Sequence, residues 1–360
     1  MVGGIVLVPR HPGAALHALL EGRTMPRISS LVLMSAALAA LAACSDNPLT
    51  QSPPAPVDQQ SPAHLGIVAA RGATATPRFN NGNEANNGVT GGALTQAGIQ
   101  YHGGPVLQAG TKVAAVYWSS TTIYNGGPTP GTTGAGSADG SLVGYFLNHI
   151  GGSPYFNINT SYTNAAGTPI VNSVSYTQYY ANNTSAPSGK TRVSDATMLS
   201  MLQTAFNTGK LTYDPSTLYA IFTQGTVNLG GGFGQYCAYH SWGTVTVGGV
   251  AHTVLYAAMP DDYAKPNSCW SGLAPANGDP HADAEVSTLI HEIEETTTDM
   301  NGNAWYDSAG NENADKCAWT FGTTFSTPGG GVANVTIGTK SFLIQRNWLN
   351  VGSGSCQLSF

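Results

Sequence analysis

The sequence predicts an α+β fold: one strand-rich domain with a mixed sheet and a central His-Glu helix, preceded by a disordered tether. Three observations carry this. Only 9% of the 360 residues are charged, against about 25% in a typical soluble domain, and Gly (45 residues), Ser, Thr and Asn fill the gap. That composition excludes a coiled coil, a long helical bundle and a charge-rich disordered chain. Hydrophobic residues make up 41%, enough to bury a core, and strand-like runs outnumber helical patterns. The net charge of −6 with scattered Lys and Arg leaves no basic stripe, so nucleic acid is not an expected partner.

The first 44 residues read as export machinery rather than fold. Met25-Pro26-Arg27 precedes an apolar run from Ile28 to Ala43, and Leu41-Ala42-Ala43-Cys44 resembles a bacterial lipobox. The expectation is cleavage before Cys44 and a lipid on its thiol, with Met1 to Thr24 an upstream extension. The run is shorter than the roughly 18–20 apolar residues a membrane span needs. Residues 45–100 then read as the tether: Pro53-Pro54-Ala55-Pro56 and Asn80-Asn81-Gly82-Asn83 show no strand or helix period and little to bury.

The domain is expected over residues 101–360. Lys112 to Trp118 reads as a strand; Leu142, Tyr145, Phe146, His149 and Ile150 keep helical spacing. Two strand runs are expected between Tyr155 and Tyr180. Ser194 is a candidate N-cap for a helix presenting Met198, Leu199, Met201, Leu202, Ala205 and Phe206. Leu218–Phe222 and Val250–Met259 read as strands separated by the glycine-rich stretch Gly230 to Gly234. A helix is expected from about Asp283 to Asp299, then strands at Ala333–Ile337 and Phe342–Trp348. Apart from Cys44, the cysteines are Cys237, Cys269, Cys317 and Cys356. An even number in an exported chain implies two disulfides, and pairing Cys237 with Cys269 and Cys317 with Cys356 closes the shorter loops.

The acidic residues concentrate in one segment. Twelve of the nineteen lie between Asp261 and Asp315, where Lys265 is the one Lys or Arg. Carboxylates packed this way repel unless they are solvated or a cation neutralises them. The centre is His291-Glu292-Ile293-Glu294-Glu295, continuing to Asp299. On a helical wheel His291, Glu295, Asp299 and Glu292 fall within an arc of roughly 100°, and Val286, Leu289, Ile290, Ile293 and Thr297 lie opposite. Asp279 or Asp283 can cap the start, and Asn301-Gly302 ends the helix.

Two ligands at i and i+4, with a Glu directly after the first, is the arrangement of a zincin helix. The spacing sets both donors over one metal while the neighbouring Glu reaches the bound water. His291 and Glu295 are then the expected ligands and Glu292 the general base. The metal is expected to be zinc, lowering the pKa of its water towards roughly 7. Glu312 is the expected third ligand, with Asp315 and Asp299 as alternatives. The fourth-position Glu, where the usual motif has His, leaves a solvated acidic stripe as the competing reading. Calcium is the alternative cofactor, because Asp307, Asn311, Glu312, Asn313 and Asp315 are hard oxygen donors in a turn-rich stretch. No P-loop, dinucleotide fingerprint or nucleophile elbow occurs.

The sequence resembles the phosphate-induced protein 1 (EXORDIUM-like) family in four stretches: Tyr101-His102-Gly103-Gly104-Pro105-Val106, Tyr236-Cys237-Ala238-Tyr239-His240-Ser241, His291 to Trp305, and Glu312 to Cys317 with Phe342-Leu343-Ile344-Gln345. Family members in plants commonly have Pro after the Thr-Asp; Met300 stands there in this chain. The resemblance implies an extracellular or cell-wall-associated protein linked in plants to growth responses, and supplies no established reaction. His240 can approach the site as a ligand or polar neighbour, although a lone His beside a disulfide is more often structural. The resulting expectation is an exported metalloprotein, lipid-anchored at the cell envelope (outer membrane or surface) or extracellular. It is a monomer that acts on or binds an extracellular protein, peptide or cell-wall polymer and touches membrane through Cys44 alone. A zinc-dependent hydrolase competes with a non-catalytic binding protein holding structural calcium or no metal.

Overall fold

Seven strands form one mixed sheet in the computed structural model, which describes residues 65–71 and 98–360. They are β1 (Leu65–Ala69), β2 (Thr111–Tyr117), β3 (Thr133–Ala135), β4 (Val174–Tyr180), β5 (Thr217–Phe222), β6 (Tyr236–Val247) and β7 (Val250–Met259). Their order across the sheet is β1-β6-β7-β5-β2-β4-β3. The four strands from β7 to β4 are mutually parallel, and the remaining pairings are antiparallel. The expected cleavage signal, Cys44 and most of the expected tether lie outside the described residues.

Alternation along the parallel strands divides the core in two. Val113, Ala115, Tyr117, Leu218, Ala220, Phe222, Leu255, Ala257 and Met259 face one side. Ala114, Val116, Tyr219, Ile221, Val254, Tyr256 and Ala258 face the other. The period of two is what sends successive side chains to opposite faces. Helices α1 (Leu142–His149) and α3 (Pro280–Asp299) cover the first face; α2 (Asp195–Asn207) covers the second. The parallel strands, wrapped on both faces, read as continuous apolar runs, as buried parallel sheets do.

Local chemistry sets the helix starts. The Ser194 hydroxyl accepts from Thr197 N–H at 3.3 Å, as expected of an N-cap. Asp279, not Asp283, caps α3, accepting from Ala282 N–H at 3.3 Å, with Pro280 at the first helical position. Asp283 instead accepts from the backbone and side chain of Asn277 at 2.9 and 2.8 Å.

Three parts depart from the sequence expectation. Leu65–Ala69, read as tether, is an edge strand on β6, and Trp319 Nε1 donates to Ala69 O at 2.7 Å. Between Tyr155 and Tyr180 only β4 is a strand; residues Phe156–Ser161 form a 3₁₀ turn, because Tyr155, Phe156 and Ile158 point together into the core. Finally, β6 fills residues between the glycine-rich stretch and the next expected strand, where the sequence reading places no element. The C-terminal region makes three small hairpins, Phe325–Ser326 with Val332–Ala333, Val335–Ile337 with Lys340–Phe342 and Asn347–Leu349 with Ser355–Gln357. Both expected disulfides form, with Cα separations of 5.3 Å for Cys237–Cys269 and 5.6 Å for Cys317–Cys356. No helix among the described residues is long and apolar enough to cross a membrane.

Candidate metal centre

Helix α3 has no solvent face: every residue from Ala282 to Asp299 is buried. The apolar side chains Val286, Leu289, Ile290 and Ile293 join the core. The opposite stripe is covered by β6 and by the segment that runs from Asp307 to Gln345. Burying four such side chains stabilises by about 1.5–3 kcal/mol each. Burying a single unneutralised carboxylate costs several kcal/mol. The stripe therefore cannot enclose its carboxylates unless protons or cations neutralise them.

Two groups of candidate ligand atoms share Glu295. His240, Glu295 and Glu312 lie within 4.8 Å of one another, as do His291, Glu295 and Asp315. His291 Nε2 is 2.8 Å from Glu295 Oε1 and 3.6 Å from Asp315 Oδ1. His240 Nδ1 is 3.7 Å from Glu295 Oε2, and His240 Nε2 is 3.9 Å from Glu312 Oε1. Each Glu295 oxygen thus faces a different imidazole. The helical pitch brings His291 and Glu295 together, and β6 supplies His240. The turn Asp315–Cys317, fixed by the Cys317–Cys356 bond, supplies Asp315, and the residues just before it supply Glu312.

Several of these atoms have no hydrogen-bond partner despite complete burial: His240 Nε2, Glu292 Oε1, Glu295 Oε2 and Glu312 Oε1. Buried polar atoms are normally satisfied, so this convergence of lone pairs sets the site apart. The imidazoles differ in their other contacts. His240 Nδ1 is 3.2 Å from Glu292 Oε2 in hydrogen-bond geometry, so the ring donates there and keeps the Nε2 lone pair. His291 Nδ1 is 2.6 Å from Gln345 Nε2.

Electrostatics follow from burial. Desolvation raises Glu292 and Glu312 well above the usual carboxylate range and takes Glu295 to about 7, with Asp315 adding to the effect. His240 falls to about 3, chiefly by burial and then by the charge on His291, with the Asp299 carbonyl opposing. Burial also opposes charge on His291, but Glu295, Asp315 and Glu292 outweigh it and hold its pKa well above the ordinary value. An uncharged His240 is the form that ligates metal.

The remaining acids have other partners. Asp299 Oδ1 accepts from Asn303 and Ala304 N–H at 2.6 and 2.7 Å, closing the end of α3, and Asp299 belongs to neither donor group. Asp307 is bonded by Asn311 and by the Lys316 ammonium at 3.0 Å, so a cation of the protein already sits on it. Glu294 turns away to Tyr155. Asp262 and Glu285 form a separate buried pair, with Thr288 donating to Asp262 at 2.6 Å and Asp262 N–H 3.4 Å from Glu285. Cys237, Asp262 and Cys269 also lie together, but both sulfurs are taken by their disulfide.

His240 was outside the expected ligand set. The sequence reading places no strand there, although Gly248-Gly249 between alternating Thr/Val runs is a hairpin signal; in the structure both glycines have positive φ and join Val247 to Val250 in register. No protein-family model matches the chain, and no curated protein or solved structure matches it.

Proposed function

We propose that this chain is an exported metalloprotein of the phosphate-induced protein 1 (EXORDIUM-like) type, with a zincin-like zinc centre on α3 that hydrolyses peptide-like substrates. The observation that supports it is the set of buried, unpartnered His and carboxylate atoms converging on Glu295. Glu295 and His291 are the helix-borne ligands. Asp315 completes the group on the His291 side and Glu312 the group on the His240 side. Imidazole and carboxylate donors together suit zinc among the common divalent ions. Bound there, zinc supplies a Lewis acid and an activated water. Glu292 lies one residue from His291, with Oε2 on His240 and Oε1 unpaired, and Oε1 is the atom assigned to take the water's proton. Export rests on the two disulfides, which fit an oxidising compartment, and on the lipobox at Cys44, which would anchor the chain by lipid at the cell envelope. An extracellular protein, peptide or cell-wall polymer is the partner this placement implies.

One observation favours a second reading. Glu292, Glu295, His240 and His291 are fully buried and Glu312 is 2% exposed, and closed sites are the mark of structural rather than catalytic metals. In that reading the centre holds a structural ion, zinc or calcium, within a binding protein. Glu292→Gln separates the two. Retained zinc with hydrolysis of a fluorogenic peptide library abolished supports the enzyme. Wild-type protein that holds zinc and cleaves nothing supports the structural site. Protein purified without chelator that contains no metal and melts at the same temperature with or without zinc overturns both.

A further inference from the structure

We infer that the centre takes two divalent cations, bridged by the two oxygens of Glu295. This rests on the metal reading above and extends it from one ion to two. The first argument is geometric. Glu295 Oε1 faces His291 Nε2 and Oε2 faces His240 Nδ1, and each side carries a further carboxylate, Asp315 or Glu312. A single ion would leave one of the two donor groups unused. A carboxylate bridging two ions about 3.5–4 Å apart is the usual form of a two-metal hydrolytic site.

The second argument is charge. Glu292, Glu295, Glu312 and Asp315 carry four formal negative charges, and their ion-pair partners are His240 and His291. Both imidazoles are neutral when they ligate a metal. Two divalent ions supply four positive charges and balance the group; one supplies half. The third argument is the inventory of unpartnered atoms. His240 Nε2, Glu295 Oε2 and Glu312 Oε1 are three buried orphans in one donor group, and on the other side His291 Nε2 meets Glu295 Oε1 at 2.8 Å and Asp315 Oδ1 at 3.6 Å.

The two positions are unequal. His240 already donates through Nδ1 to Glu292, leaving Nε2 ready, in the carboxylate–histidine–metal arrangement that orients metal ligands. His291 Nδ1 faces the nitrogen of Gln345, so ligation through Nε2 requires that amide to turn and present its oxygen. The His240 side therefore fills first.

The test uses the full-length oxidised protein, stripped with chelator, titrated with zinc and dialysed, with metal counted per chain by elemental analysis. The expected result is two zinc ions bound in two steps, with His240→Ala and His291→Ala each retaining one. One ion in the wild type, whichever of the two variants loses it, overturns the two-ion centre while sparing the single-ion reading. No bound ion overturns the metal reading itself. Because either variant can fail to fold, wild-type protein loaded with Mn²⁺ gives an independent reading. Bridged ions yield an exchange-coupled electron paramagnetic resonance spectrum, and a plain six-line spectrum at full loading overturns the inference.

Discussion

Gln345 holds its amide nitrogen 2.6 Å from His291 Nδ1. The orientation of that amide is fixed by two backbone groups: Trp319 N–H donates to its oxygen at 3.1 Å, and its nitrogen donates to Ser287 O at 3.2 Å. In its neutral form the His291 ring therefore accepts at Nδ1 and carries its proton on Nε2, 2.8 Å from Glu295 Oε1. A glutamine thus sets which of two imidazoles is ready to meet a metal.

Gln345→Glu reverses that setting. A carboxylate at the same place accepts from Nδ1–H and frees the Nε2 lone pair, and outer-shell partners of this kind change metal affinity by about 10–100-fold. Calorimetric titration should show the second zinc step tighten by about tenfold, with the first step unchanged.

The metal-free protein should lose stability as pH rises. Glu295 moves from an ordinary 4.5 to about 7 in the folded chain, so between those values the folded state holds a proton that the unfolded state has released. Stability is fully present below 4.5 and falls as pH rises through 7. Glu292 and Glu312, raised in the same sense, extend the loss further. Thermal melts of chelated protein should show a lower Tm at pH 8 than at pH 5, and zinc should remove the difference.

Breaking the Cys317–Cys356 disulfide by Cys317→Ser with Cys356→Ser should cost about 2–4 kcal/mol. Cys317 lies two residues beyond Asp315 and five beyond Glu312, so zinc affinity should fall as well. Opening Cys237–Cys269 should also destabilise, and it loosens β6 three residues from His240. Denaturant melts and zinc titrations of both double variants check this.

A chain beginning at Gly98 should fold less stably. It loses β1, whose Val68 is fully buried, and uncovers the edge of β6 that carries His240. Losing that one side chain's burial is worth about 1.5–3 kcal/mol, which for a domain of this size lowers Tm by about 5 °C. Comparing melts of the two chains gives the answer directly.

The sequence showed α3 through its apolar period, the pairing of the cysteines through loop length, and the acidic concentration through simple counting. It did not show how that concentration divides. Asp279 and Asp299 finish the ends of a helix, Asp307 meets Lys316, and Asp262 pairs with Glu285; only some of the acids reach Glu295. Local pattern also read one face of α3 as a polar stripe, since periodicity reports contrast between faces and not what is packed over them. His240 and Gln345 come from distant strands and segments, at separations from α3 that no local rule spans. Leu65–Ala69 was hidden by its surroundings: five residues between Pro-rich and Asn-rich stretches show too short a pattern to stand out.

An element enclosed on all sides has a kinetic signature. The backbone amides of α3 between Thr288 and Thr297 have no shallow route to solvent, because the sheet lies on one side and the segment from Asp307 to Gln345 on the other. Their deuterium uptake should await opening of the whole domain. These few amides become an internal clock for global unfolding, and the rate at which they run will register each ion that the centre gains or gives up.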